Sequence, residues 1–414
     1  MNCNKKYNIV ILNHHASDPE VGGGGRHYEI ANFISQNGHN VTVIASSYAH
    51  GKNQYHYPEK IVTKKQSENL NFIYLKTKPA YKNILTRFLN YIDYMKKVSK
   101  FNNFKEKPDV IIASSVHPLA WTAGYKLSKR YNAKFIVEVR DLWPLSMYED
   151  FSGVVRKAVF SFFERLEKKY YNLADSIITT APYAYEYMEK KYGINRKKVF
   201  HIPHGIDIDK FDKNANQRDE LLNNEINDIL NNYFCITYTG GLSKSEGLET
   251  LVESAKYFQK YEDIRVVIVG NGEKREKLLE IISKEKLKNV ILFDRIDRDL
   301  VPLVLKKSDI LFCGLIEREA FKYGISKNKF YDYMAAKKPI IFASSVRGSL
   351  INKAGAGLTI KPNDPVKLSE SILYLYNNMD TIGKEYAENG RNYVEKYHTT
   401  EKIAKDFMKV ISLD

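Results

Sequence analysis

Short apolar runs alternate with longer stretches of helical periodicity along this chain. Runs at 9–12, 41–45, 72–75, 110–113, 135–139 and 176–179 predict strands, with helices between them at 26–36, 84–100, 119–130, 155–171 and 183–191. Unbroken apolar runs of this length suit strands covered on both faces, and strand–helix alternation implies a parallel sheet between helical layers. The pattern then restarts. Strand-like runs recur at 234–239, 264–269, 290–293, 310–313, 339–342 and 357–360, with helical stretches at 246–260, 273–286, 300–306, 327–336 and 366–377. The polar stretch 209–232 reads as the connection between two α/β units, with a short helix near its end. Helices at 379–396 and 401–411 close the chain and are expected to pack back across the first unit.

The predicted fold class is therefore α/β, with two Rossmann-like, doubly wound parallel-sheet domains facing a central cleft. The domain boundaries are placed at 1–205 and 206–398, with 399–414 as a returning C-terminal helix. Ligands of such sheets bind beyond the C-terminal ends of the strands, so the loops after the strands are where chemistry is sought.

The length of 414 residues agrees with two or three domains. A charge sum of 64 Lys and Arg against 49 Asp and Glu, or +15, points to a polyanionic partner without choosing one. The three cysteines, Cys3, Cys235 and Cys313, have no metal-site spacing and imply a reduced compartment. No apolar run approaches the ~20 residues of a membrane span, and the N-terminus has no signal-peptide core. The expected location is cytoplasmic, with any membrane contact peripheral, on the inner face of the cell membrane.

Six loops carry candidate chemistry. Gly22–Gly25 opens the helix that begins Arg26-His27, and Gly24 and Gly25 allow a phosphate to approach the backbone at a helix N-terminus. The glycines follow the strand by about nine residues, unlike a dinucleotide fingerprint, which has them directly after it. His117 lies just past a strand end, before Pro118. Arg140, Asp141 and Trp143 follow the strand ending at Val139. In the second unit, Gly240, Gly241 and Lys244 join strand to helix, and Gly270, Asn271 and Gly272 form a second tight turn. In Ser326-Lys327-Asn328-Lys329, Ser326 is expected to cap a helix, with Lys329 in its first turn and Asp332 three residues on along the same face. Ser326, Asn328, Lys329 and Asp332 could together meet one nucleoside diphosphate.

These loops, in this order, resemble a retaining glycosyltransferase of the GT-B fold, family 4 group. The carriers are the Gly22–His27 loop, His117-Pro118, EVRDLWP at 138–144, IPHGIDIDKF at 202–211, YTGGLSKSEGLETLVES at 238–254, VGNGEKREKL at 269–278 and YGISKNKFYDYMAAKKPII at 323–341. The closest likeness is to bacterial enzymes of surface-polysaccharide synthesis, including N-acetylfucosamine transferases. The resemblance implies transfer of a sugar from a UDP-sugar donor to a glycan or polyprenyl-diphosphate-linked acceptor, with no cofactor and no bound metal. It implies Lys244 and Lys329 as ligands of the leaving diphosphate, with Gly24, Gly25, Gly240, Gly241, Gly270, Asn271, Gly272, Ser326, Asn328 and Asp332 around the donor. His117 would contact the donor sugar; Arg26, His27, Arg140, Asp141 and Trp143 would lie on the acceptor side. The chain departs from the family at five places. Gly324 stands where the first acid of the two-acid motif belongs, the second is Asp332 where Glu is commoner, Gly241 stands at an Arg position, Glu246 at a Lys position and Arg295 near a usual glycine.

Two other readings are distinguishable. A sugar-nucleotide 2-epimerase of the same fold would convert its UDP-sugar without an acceptor. A nucleic-acid-binding protein would account for the charge, but no helix-turn-helix, zinc finger or aromatic–basic motif is present, so no nucleic-acid partner is expected. The charge also suits phosphorylated small molecules or an anionic membrane surface. Lysines and arginines through 76–100 flank an apolar stripe of Ile84, Leu85, Phe88, Leu89, Ile92 and Met95, and Phe162, Phe163 and Leu166 could extend it.

Overall fold

Parallel strands form where the unbroken apolar runs lie. The computed structural model describes residues 5–413 apart from 23, 50–52, 81–83, 116, 147–152 and 218. Cys3 and Gly23 fall outside the described residues, as do the side chains of Ile84 and Val155. The chain divides into one unit of Met1–His204 with Thr400–Asp414 and a second of Gly205–Thr399.

In the first unit the strands are β1 (Asn8–Leu12), β2 (Asn40–Ser46), β3 (Tyr48–Ala49), β4 (Gln54–Tyr55), β5 (Ile61–Lys65), β6 (Leu70–Leu75), β7 (Val110–Ser114), β8 (Lys134–Val139), β9 (Ser176–Thr179) and β10 (Val199–His201). Its helices are α1 (Pro19–Gly22), α2 (Arg26–Gln36), α3 (Ile84–Lys100), α4 (Leu119–Tyr131), α5 (Gly153–Leu173) and α6 (Ala184–Tyr192). The main sheet runs β10-β9-β8-β7-β1-β2-β6-β5, parallel except for β5, which pairs antiparallel with β6. Sequence periodicity misses β5 because it is an edge strand, half exposed, whose outward positions need no apolar residue.

The second unit holds α7 (Ile208–Ala215), α8 (Asn224–Asn232), β11 (Phe234–Thr239), α9 (Leu248–Ser254), β12 (Ile264–Val269), α10 (Arg275–Lys284), β13 (Val290–Phe293), α11 (Val301–Lys307), β14 (Ile310–Gly314), α12 (Asn328–Ala335), β15 (Ile340–Ala343), α13 (Leu350–Ala354), β16 (Gly357–Ile360), α14 (Pro365–Asn377) and α15 (Lys384–Tyr397). Its sheet, β13-β12-β11-β14-β15-β16, is parallel throughout.

Two expectations about connections are corrected. The stretch 209–232 is no bare linker: α7 is capped by the Asp207 side chain and buries Phe211 and Ala215, one turn apart, in the core of the second unit. Of the two closing helices, only α16 (Thr400–Ile411) joins the first unit, where Ile403, Phe407 and Val410 pack with Ile30 and Ile34 of α2. The other, α15, stays in the second unit, because Val394 is buried there and the Arg391 fork grips both carboxylate oxygens of Asp212 at 2.7 and 2.6 Å. Cys235 and Cys313 are buried free thiols in β11 and β14, and burial pushes the Cys235 thiol up to about 12.

Behind the first sheet, Glu167 of α5 is fully buried and accepts from the hydroxyls of Tyr171 at 2.8 Å, Tyr187 at 2.8 Å and Tyr192 at 2.6 Å. Burial outweighs these donors and pushes its carboxyl up to about 7. The folded state therefore holds a proton there that the unfolded chain gives up near the ordinary carboxylate value. Stability must fall as pH rises through that interval toward about 7 and stay low above it. A Glu167→Gln variant lacks this titration. Denaturant melts at pH 5 and pH 8 are expected to show the parent losing more stability than the variant between the two; equal losses would return Glu167 to an ordinary carboxylate.

Candidate functional site

In the second unit, three loops meet at the end of β11. Gly240 has a φ of +141°, and a Cβ there would stand 2.6 Å from Cε of Lys329, so the lysine passes only because the position is glycine. A Cβ on Gly270 would lie 1.8 Å from the Gly240 carbonyl oxygen, which presses the two glycine loops together. Backbone bonds complete that join: Gly240 N–H donates to Val269 O, and Leu242 N–H to Asn271 O, each at 3.0 Å. Close loop packing thus accounts for Gly270 and for Gly272, where a Cβ would stand 2.5 Å from the Leu242 carbonyl oxygen, while Gly241 and Asn271 face solvent.

Lys329 emerges from the first turn of α12. Its Nζ donates to the Tyr238 hydroxyl at 2.5 Å and to Glu246 Oε2 at 2.8 Å, and lies 4.0 Å from the centre of the Tyr238 ring. Lys327 Nζ donates to the other oxygen, Oε1, of Glu246 at 2.7 Å. Burial lowers the Lys329 pKa, against the raising effect of Glu246. Burial alone would raise Glu246, but Lys327 and Lys329 hold its carboxyl below the usual range. The arrangement is a carboxylate clamped between two lysines at the N-terminus of a helix that no side chain caps. An entering diphosphate could replace the carboxylate as their counter-ion.

Ser326 is not the cap. The N-cap is Lys327, and Ser326 Oγ is bonded to the Tyr331 hydroxyl at 2.8 Å, so the helix starts one residue later than predicted. Asn328 is exposed at its first position and Asp332 is half-buried on its second turn. Lys244 is exposed; its backbone N–H donates to Glu273 Oε1 at 3.0 Å.

In the first unit, the parallel register sets Leu12 of β1 beside Ala113 of β7, and Ser114 beside Glu138 of β8. The segments leaving these strands are therefore neighbours. Asn13 Nδ2 donates to Ser114 Oγ at 3.0 Å, and just beyond them His117 Nε2 shares a 3.0 Å hydrogen bond with His14 Nδ1. Tyr91 of α3 stacks on the His117 ring at 4.1 Å between centroids. His117 is fully buried, burial holds its pKa well below the usual imidazole value, and its Nδ1 has no protein partner.

Three residues expected on the acceptor side, Arg26, His27 and Trp143, are engaged inside the first unit. Arg26 and His27 are buried on Glu138 of β8: Arg26 Nε lies 2.9 Å from Oε1 and His27 Nε2 2.7 Å from Oε2. Arg26 also donates to the carbonyls of Ile202 at 2.8 Å and Pro203 at 2.5 Å. Trp143 is buried against Phe163, ring centres 5.0 Å apart. Arg26, at the start of α2, is charged and buried and so needs a buried counter-charge, which Glu138 supplies, whereas Trp143 is buried by apolar packing. Gly24 and Gly25, with φ of +76° and +122°, make the bend that delivers Arg26 and His27 to that carboxylate. Asp141 stays exposed, and Arg140 is half-buried with Nε lacking a protein partner. Sequence reasoning missed His14, Tyr91, Glu138 and the clamping role of Glu246. For His14 a signal was present, since it follows β1 by two residues much as His117 follows β7.

Known proteins carry the same two-part layout. Residues 21–210 match the family model Glycosyltransferase Family 4, and residues 220–395 match Glycosyl transferases group 1. With each unit accounted for by one of these models, the chain belongs to the glycosyltransferases of the GT-B class. It is similar to an uncharacterised glycosyltransferase of Methanocaldococcus jannaschii, 21% identical over 75% of this chain and 76% of that one. It is also similar to the capsular polysaccharide biosynthesis glycosyltransferase CapM of Staphylococcus aureus, 23% identical over 49% of this chain and 51% of CapM. In fold it resembles Anabaena HepE solved in complex with UDP, with a TM-score of 0.67, 15% identity and coverage of 98% of this chain and 99% of that one.

Proposed function

We propose that this glycosyltransferase moves a sugar, with an acetamido-deoxyhexose the first class to try, from a UDP-sugar to a glycan or polyprenyl-diphosphate-linked glycan. The transfer retains the anomeric configuration and serves surface-polysaccharide synthesis, of capsule or O-antigen. The observation that carries the reading is the lysine clamp at the uncapped end of α12, beside glycine loops that press against each other. Lys329 and Lys327 are the cations nearest a diphosphate bound there. With Lys244 and the first-turn amides of α12 they would stabilise the leaving group electrostatically. Gly240, Gly241, Gly270, Asn271, Gly272, Ser326, Asn328 and Asp332 are the donor's remaining neighbours in this reading. The first unit contributes His117 to the sugar and Arg140 and Asp141 to the acceptor. A lipid-carried acceptor would bring the chain to an anionic membrane surface on the cytoplasmic side. Among the described residues no helix is long and apolar enough to cross a membrane.

The test is a thermal-stabilisation screen of nucleotide sugars, followed by analysis of hydrolysis and transfer products of the best binder. Stabilisation by UDP-sugars and an acceptor-dependent product are expected. A new sugar nucleotide formed without acceptor would replace the transferase by an epimerase. Among the described residues no group of three or more His, Cys, Asp or Glu could hold a metal ion. With lysines placed to neutralise the leaving group, activity is expected to survive EDTA. Complete loss restored by magnesium or manganese would overturn the metal-independent reading.

Lys329 gives a sharper check. A charge-assisted hydrogen bond contributes about 1.5–3 kcal/mol, so Lys329→Ala is expected to weaken UDP binding by about tenfold or more. Calorimetry on the folded variant measures it. An unchanged Kd removes Lys329 from the donor site and leaves its role as the partner of Glu246.

A further inference from the structure

We propose that Glu246 is a resident counter-ion that competes with the diphosphate for Lys327 and Lys329 and so sets how readily UDP leaves; this rests on the donor reading above. The two ammonium groups hold it as they would hold an oxyanion ligand. Each donates to a different oxygen, Lys327 Nζ to Oε1 at 2.7 Å and Lys329 Nζ to Oε2 at 2.8 Å. The carboxylate side chain is 11% exposed and those of the lysines 22% and 19%. Ammonium groups so far withdrawn from water need an anion beside them, and Glu246, kept ionised by the same lysines, supplies it.

The backbone that carries this carboxylate is pinned. Glu246 N–H donates to Ser243 O and Ile316 N–H to Ser245 O, each at 3.1 Å. The Glu246 carbonyl closes on Gly314, where a Cβ would stand 2.4 Å from its oxygen. Any displacement therefore falls to the side chain, which can turn out while the loop stays. Charge sets the direction of the effect. Two lysines against one carboxylate leave the cluster at +1. An arriving diphosphate brings more negative charge than the carboxylate takes away, and it seeks the same two ammonium groups. Like charges at contact distance repel, so binding expels Glu246 and is weakened by the exchange. Run backwards, the exchange returns Glu246 to the lysines as UDP departs.

The experiment is calorimetric titration of UDP, and separately of inorganic pyrophosphate, into the full chain and its Glu246→Gln variant, with thermal melts of both without ligand. Glutamine keeps the size of the side chain and removes its charge. The ligand-free variant should melt lower, because its lysines lose their anion. It should nevertheless bind UDP about tenfold more tightly, the scale of one charge-assisted contact no longer surrendered on binding. A merely structural role would loosen the lysines and weaken UDP, so the opposite signs of the two readouts carry the test. Glu246→Asp keeps the charge on a shorter stem, with a poorer grip on two lysines, and should tighten UDP less; it decides the matter if the glutamine variant does not fold. UDP binding no tighter than the parent's, in the glutamine variant or failing that in the aspartate one, overturns the proposal and leaves the donor reading standing. Tighter pyrophosphate binding in the variant, where neither protein binds UDP, removes the uridine reading and upholds the competition. Failure of both proteins to bind either ligand overturns both.

Discussion

Replacing His117 by alanine is expected to lower turnover by about two to three orders of magnitude, the scale seen when one preorganised polar contact to a reacting centre is lost, while UDP binding is unchanged. Two parallel strands bring the ends of β1 and β7 together, and the 3.0 Å bond to His14 with the stacked Tyr91 ring leaves the imidazole little freedom. Burial keeps the ring neutral at physiological pH. In the proposed reading it acts through a directed hydrogen bond to the donor sugar, and neither as a cation nor as a nucleophile. Two further results follow. The pH–rate profile should show no limb from His117 near the ordinary imidazole value, since its pKa lies well below. His14→Ala should also lower turnover without altering the UDP Kd, because it releases the His117 ring. Single-turnover kinetics with calorimetric UDP binding measure both variants. Near-normal turnover in His117→Ala would make the ring a packing residue only.

Glu138→Ala is expected to destabilise the protein by about 3–5 kcal/mol, the scale for removing one partner of a buried ion pair. The loss comes less from the missing attraction than from Arg26, left buried without an anion, and from His27, left without its hydrogen-bond partner. Burial by itself would raise the Glu138 pKa, but His27 and Arg26 hold it well below the usual carboxylate range. The folded carboxyl thus titrates lower than the unfolded one. Its stabilisation is complete above the unfolded value and vanishes as pH falls toward the folded one. Glu138→Gln should accordingly flatten the acid limb of the stability curve. Denaturant melts across pH measure both variants; a loss under 1 kcal/mol in the alanine variant would show that Arg26 finds other partners.

The donor-side motif was legible in part. Glycine pairs after apolar runs and a lysine at a helix start announce an anion site from local spacing alone, and Lys329 does lie beside Gly240. That Glu246 would clamp Lys329 was not legible, because the two are 83 residues apart and belong to different loops. The burial of three residues expected on the acceptor side was not legible for a related reason. Arg26, His27 and Trp143 have the residue types of a binding loop, and only their neighbours show that they are buried.

The sequence by itself determined the central parallel strands, most of the helices and the fold class. Unbroken apolar runs must be covered on both faces, and their alternation with helical stretches leaves a parallel sheet as the way to cover them. The tertiary structure alone decided which loops became neighbours. Parallel register set His14 against His117, 103 residues away, and drew Arg26 to Glu138, 112 residues away. Periodicity reports that a side chain will be buried. It carries no information about its partner, because the partner is chosen by strand order, and strand order depends on the packing of the whole unit.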